Sequence, residues 1–148
     1  LKARHNKQSS MNPNTKKILI GIADRHKIYR RNLKEIIEFL GEEYKVIQTS
    51  DYLSDLLSSE TLPRSLSILI ANLDGEYTKA LRTLSQLKAM APSTRIIIIT
   101  SYEEELPKRQ LNELGVHGCL SRNSDPNELK RAIDTVYNNG FYPQAQFL

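Results

Sequence analysis

Short apolar runs alternate with longer polar stretches of helical spacing along this chain. ILIGIA at 18–23, LSILIA at 66–71, RIIII at 95–99 and GCL at 118–120 are each too short for a stable helix. Runs of this kind, separated by helical stretches, predict a parallel sheet with crossover helices. From Lys16 onward a strand-then-helix unit occurs five times.

The first strand is expected from Lys17 to Ala23. Its helix, from about Ile28 to Leu40, carries Leu33, Ile36, Ile37 and Leu40 on one face, with Gly41 placed as a C-terminal cap. YKVIQT at 44–49 alternates as an edge strand does. Asp51 is positioned to cap a short helix holding Leu53, Leu56 and Leu57, and Pro63 breaks the chain before the third strand, Leu66 to Ala71. The next helix, about Tyr77 to Met90, buries Leu81, Leu84 and Leu87. Pro92 ends it, and Arg95 to Ile99 reads as the most buried strand.

A polar fourth helix, about Glu104 to Leu114, stops at Gly115. Asp125, Pro126 and Glu128 then read as N-cap, Pro at N1 and capping-box acid. The last helix runs to about Tyr137 with Leu129, Ile133 and Val136 inward, and Asn138-Asn139-Gly140 stops it.

Asp24, Asn72, Thr100 and Arg122 each stand at or just beyond the end of an apolar run. Residues at the carboxyl ends of parallel strands line the crevice where such sheets place their sites. A carboxylate, a small hydroxyl and a basic group around a central acceptor would suit phosphoryl transfer. The central residue is Asn72, whose amide has no nucleophilic carboxylate. The site is disarmed.

The 148 residues suffice for one domain with a core. Hydrophobic content of 39% and charged content of 26% are those of an ordinary globular protein, and no apolar stretch nears the roughly 20 residues that span a bilayer. The opening LKARHNKQSS lacks the apolar centre of a secretory signal. A single cysteine, Cys119, forms no internal disulfide and fits a reducing cytoplasm. The formal charge of +4 owes much to Lys2, Arg4 and Lys7, in a segment with no acid; without them the chain is close to neutral. That leaves no clustered patch to predict nucleic-acid binding. Residues 1–15 are read as a disordered basic tail, and Met11 as a natural start would make 1–10 an expression remnant.

IADRHKIYRRNL at 22–33, GVHGCLSR at 115–122, DPNEL at 125–129 and AIDTVYNNGFY at 132–142 together resemble the receiver domain of two-component response regulators. The subgroup they resemble is that of LuxR, NarL and FixJ type, whose output is a helix-turn-helix. The resemblance covers roughly 16–142, with 143–148 an extension or the start of a linker. It implies a flavodoxin-like, doubly wound, five-stranded parallel sheet in the order 2-1-3-4-5, with five helices.

By the same resemblance, Asp24 matches the first acid of the metal-binding pair, and Arg25 falls where the second belongs. Asn72 matches the phosphoacceptor: only that register puts a small residue, Ala80, eight positions on, whereas Ala71 or Asp74 would put Lys79 or Arg82 there. Thr100 matches the hydroxyl, Cys119 the aromatic switch residue and Arg122 the phosphoryl-contacting lysine. An arginine keeps that charge but not its geometry.

The expectation is a pseudo-receiver: not phosphorylated, not an enzyme, binding magnesium weakly or not at all. It would act as a regulatory and dimerisation module of a transcription regulator. Its partners would be a second copy and a histidine kinase or other regulatory protein, with DNA reached only through an output domain not present in this chain, and no membrane. Such an output domain would need about 60 residues or more. Either it is missing from this chain, or the receiver stands alone.

Alternatives stay open. Asp74, two residues past Asn72, could be a substitute phosphoacceptor, although Asp74-Gly75 favours a turn. The strand-end crevice could sense a small ligand. Arg25 and Arg122 could pair with Asp24 or Asp74, or Arg25 could extend into solvent. Phe141, Tyr142, Phe147 and Leu148 could cover a dimer face or fold back. His5, His26 and His117 lack metal-ligand spacing, His26 and His117 being read as loop residues. No His or Asp arrangement makes Thr100-Ser101 a hydrolase nucleophile. Asp24-Arg25-His26-Lys27 is not the Ser/Thr/Gly-rich turn that a flavin phosphate needs.

Overall fold

Why the apolar runs become strands is plain from their two-sided burial in the computed structural model, which describes residues 16–58, 62–73, 77–101 and 105–143. The strands are β1 (Ile18–Ala23), β2 (Tyr44–Ser50), β3 (Ile68–Asn72), β4 (Arg95–Thr100) and β5 (Gly118–Ser121). They form an all-parallel sheet in the order β2-β1-β3-β4-β5. Five helices connect and cover it: α1 (Lys27–Phe39), α2 (Leu62–Ser65), α3 (Tyr77–Met90), α4 (Lys108–Glu113) and α5 (Pro126–Tyr137).

Alternation along each strand divides the core in two. Ile20, Ile22, Ile68, Ile70, Ile97 and Ile99 face one way and pack with Leu33 and Ile37 of α1 and with Leu129, Ile133 and Val136 of α5. Leu69, Ala71, Ile96 and Ile98 face the other and meet Ala80, Leu84 and Leu87 of α3 and Leu111 of α4. The chain is therefore doubly wound, as the patterning and the resemblance imply. β2 alternates as expected until Ile47. Val46 lies opposite Ile20 but Gln48 opposite Gly21, so Ile47 is the extra residue of a bulge and is 37% exposed.

Several local expectations are corrected. Leu53–Ser58 is a 3-10 segment, and Asp51 does not serve it as a cap: its carboxylate takes the Arg30 guanidinium, while Asp55 accepts from the Tyr52 N–H. Pro63 lies inside the first turn of α2, where a missing N–H costs nothing. β3 begins at Ile68 and includes Asn72. Helix α4 starts only at Lys108 because Pro107 disfavours helical backbone in the residue before it. Gly41 does not adopt the left-handed cap conformation, whereas Gly115 does, with φ of 80°. Ile36 is 38% exposed, outside the buried stripe of α1, and Leu81 is half-buried. The capping box at Asp125 and Glu128 forms as expected, with Asp125 accepting from the Glu128 N–H at 2.8 Å.

After α5 the chain folds back along β5. The Tyr142 N–H donates to the His117 carbonyl at 3.0 Å, and the Cys119 N–H to the Tyr142 carbonyl at 3.1 Å. Tyr142 also packs against the α1–α5 core, so it covers its own domain; Phe147 and Leu148 lie outside the described residues. Phe141 stacks on His117 with ring centroids 5.4 Å apart.

Burial, and after it the cations of Lys88 and Arg95, draw the His117 pKa down to about 4 from an ordinary 6.5. Between those values the unfolded chain binds a proton that the native chain does not. Stability is then expected to fall as pH drops from 6.5 toward 4 and to level off below. Urea melts across that window should show the decline, and His117→Gln should remove its share.

Candidate functional site

Strand register brings the predicted positions to one rim. Ala23 lies opposite Ala71, so Asp24 and Asn72 leave adjacent strands at the same level. Asn72 lies opposite Ile99, one residue before Thr100, and Thr100 lies opposite Ser121, one residue before Arg122. Asp74 lies outside the described residues.

Asp24 is the buried centre, 2% exposed. Its Oδ1 accepts from the His26 backbone N–H at 2.9 Å and lies 2.8 Å from His26 Nδ1. Arg122 Nη1 stands 3.2 Å from Oδ2. That contact is an ion pair without hydrogen-bond alignment, so Oδ2 is buried with no donor aimed at it. Arg122 Nη2 also lies 3.2 Å from His26 Nδ1. A neutral imidazole can use that nitrogen for only one of the two, donating to Asp24 or accepting from Arg122.

The guanidinium of Arg122 is held from its other side as well. Its central carbon sits 4.4 Å from the Tyr29 ring centroid, a cation–π contact. Burial raises the Tyr29 pKa, the Arg122 cation opposes the rise and the Asp24 anion adds to it. Tyr29 stays protonated at neutral pH. Arg30 staples the same loop: its Nη1 donates to the Asp24 carbonyl at 2.6 Å and the Ser50 carbonyl at 3.3 Å, and pairs with Asp51.

Arg25 and Asn72 lie on a different wall. Arg25 is exposed and Asn72 only 8% exposed, and both line a cleft with Tyr52, Leu53, Lys79 and Thr83. The Thr100 hydroxyl is turned to the Leu120 carbonyl at 3.5 Å, near the limit of a hydrogen bond. Cys119 is half-buried on the outer side of β5, in a groove with Glu128 and Tyr142. The strand ends thus bring Asp24 and Arg122 into contact and leave Arg25 and Asn72 lining one cleft, while the Thr100 hydroxyl turns to Leu120 and Cys119 lies in the groove outside β5.

Magnesium needs near-octahedral oxygen ligation. The donor set here fits it badly: Asp24 already faces a guanidinium and an imidazole, and arginine holds the neighbouring ligand position. Among the described residues no three His, Cys, Asp or Glu side chains converge as a metal site. The Asn72 amide is neutral and not nucleophilic. At the end of β3 the arrangement thus presents an amide where a carboxylate nucleophile would be needed.

Tyr29, Arg30 and Asp51 are the site's supports that sequence reasoning did not identify, and His26 is a site residue rather than a bystander. The only signal was the density of cations in IYRRN. Nothing in the spacing ties Tyr29 to Arg122, 93 positions away.

A family model, the response regulator receiver domain, matches residues 20–134. The chain is 25% identical over 120 residues to a nitrate/nitrite response regulator protein homolog of Haemophilus influenzae, an alignment covering 81% of this chain and 57% of that protein. It is 27% identical over 123 residues to a glycerol metabolism activator of Pseudomonas putida, covering 82% and 54%. It therefore spans little more than half the length of these relatives. In fold it is similar to the isolated receiver domain of RcsB from Salmonella enterica serovar Typhimurium, solved with the phosphomimetic BeF3−. The TM-score is 0.70 at 20% identity, covering 85% of this chain and 92% of that one.

Proposed function

The chain belongs to the response regulator receiver domain family, and from that premise we propose that it is an atypical receiver that works without being phosphorylated. The observation that carries this reading is the Arg122–Asp24 ion pair inside the strand-end pocket, next to a β3 that ends in Asn72. In this reading a protein cation fixes the pocket in one electrostatic state, and magnesium binds weakly or not at all. Signalling then depends on contacts with other proteins.

The proposed role is a regulatory and dimerisation module of a LuxR-type transcription regulator in the cytoplasm. A histidine kinase or another regulatory protein is the proposed upstream partner, and DNA would be reached through a separate output domain. Among the described residues no helix is long and apolar enough to cross a membrane.

Intact mass after incubation with acetyl phosphate and magnesium tests the reading. No gain is expected. A stoichiometric gain of one phosphoryl group would overturn it, and loss of that gain in Asp74→Asn would name Asp74 as a substitute acceptor. The dimer has its own support in Ile28 and Phe39 of α1, 79% and 91% exposed. Light scattering over a concentration series should show mass doubling; a strict monomer at high concentration rejects it.

A further inference from the structure

We propose that the basic groove between α1 and the carboxyl end of β2 docks an acidic segment of another protein, with carboxylates set beside an apolar side chain. Lys27, Arg30, Arg31 and Lys34 recur at spacings of three and four and so share one face of α1. With Ile28, Glu35 and Thr49 they line a groove of about 650 Å³, within the range for ligand sites. Ile28 is 79% exposed and stands beside the cations as an apolar contact.

The lining sets four cations against one acid, Glu35. The acids that flank it in sequence are described and engaged. Asp24 holds Arg122 and lies against His26, and Asp51 holds Arg30. Glu38 accepts from the Val46 N–H at 2.9 Å and reaches Lys34 only at 3.9 Å. Lys27 and Arg31 are exposed, and among the described residues their side chains hold no ion pair or hydrogen bond. Arg30 is fixed in place by Asp51 and by the Asp24 and Ser50 carbonyls.

Charge selects the occupant. Carboxylates meet a guanidinium in a fork and an ammonium as a point charge. A nucleic acid asks for a longer basic track than one face of about two helical turns. A second copy laid stripe to stripe would oppose like charges. A short acidic segment with an apolar residue over Ile28 uses the whole wall. This inference gives a chemistry to the protein contacts proposed above and rests on that reading. Its test reads binding alone, so the intact-mass experiment decides the unphosphorylated state separately.

The probe is a fluorescein-labelled peptide alternating glutamate pairs with leucine, titrated with the whole chain and read by anisotropy and amide NMR shifts. The controls are the same peptide with glutamine for glutamate, labelled oligo-dT, and phosphatidylserine vesicles read by co-sedimentation. Saturable binding of the glutamate peptide is expected, with shifts at Ile28, Arg31 and Thr49 and an affinity that falls as salt rises. The glutamine peptide should not saturate. Lys27→Gln and Arg31→Gln should each weaken binding about threefold, and Lys27→Glu with Arg31→Glu at least about tenfold. Arg131→Gln, at an exposed position of α5, should change nothing. Residues 1–15 are also basic, so shifts confined to Lys2, Arg4 and Lys7 would overturn the proposal. Absence of saturation, equal binding of the glutamine peptide, tighter binding of oligo-dT or vesicles, or unchanged affinity in the charge-reversed variant would overturn it as well.

Discussion

Asn72→Asp will not restore phosphorylation by acetyl phosphate. The substitution supplies the missing carboxylate, but into a cleft that Arg25 also lines. A guanidinium beside the new acid favours its ionised form and occupies its oxygens, and the same cation opposes entry of a dication. Restoring both acids, Asn72→Asp with Arg25→Asp, should recover magnesium binding first and phosphorylation second. Calorimetric titration of magnesium and intact mass read the two steps separately.

The structure adds a third obstacle, because Arg122 Nη1 stands 3.2 Å from the Asp24 oxygen a metal would need. Adding Arg122→Lys to the double variant replaces a planar fork with a compact charge on a flexible stem. That triple variant should go furthest, from no detectable product to mostly phosphorylated chain. Full phosphorylation of the single variant would mean that Arg25 is no obstacle. Failure of the triple variant would place the defect in Cys119 or in the loops.

Arg122→Ala should destabilise the domain by about 3 kcal/mol, far more than a half-exposed surface arginine would. It removes the cation facing an aspartate that is 2% exposed, and His26, half exposed, is left as that anion's side-chain partner. The lost contact with the Tyr29 ring adds a smaller part, about 0.5–1 kcal/mol. Asp24→Asn should cost less, about 1 kcal/mol, because it removes the buried charge together with its requirement for a partner. In the double variant the Arg122 substitution should then cost little, so the cycle isolates the coupling. Urea unfolding of the four proteins measures it. Equal and small losses would show that solvent reaches the pair and screens it.

These expectations rest on two kinds of information. Repeats of hydrophobic spacing are one-dimensional and local. Leu129, Ile133 and Val136 had to share a face of α5 whatever they packed on, and Asp125 with Glu128 closes a box within four residues. The short Ile runs of β3 and β4 had to be covered on both sides. So the strands, most of the buried stripes and the strand-end location of the site were legible in the chain, and the resemblance supplied strand order.

Burial within a helix was less legible, because spacing marks a stripe wider than what the sheet covers. Ile36 belongs to the periodic face of α1 yet remains 38% exposed, and Phe39, outside that face, is 91% exposed. Loop starts were misjudged where a single residue decides them, as at Pro107.

The pocket itself was decided only by the tertiary structure. Asp24 and Arg122 are both at strand ends in the sequence, but which acid takes which arginine depends on long side chains meeting across 98 positions. The parallel register between β1 and β3, then β3 and β4, then β4 and β5 sets their height on the rim. The Tyr29 ring and the Arg30 staple then fix where the guanidinium and the loop can lie. Spacing carries no term for such contacts, because their energy arises from desolvation and geometry that exist only once the sheet has brought the loops together.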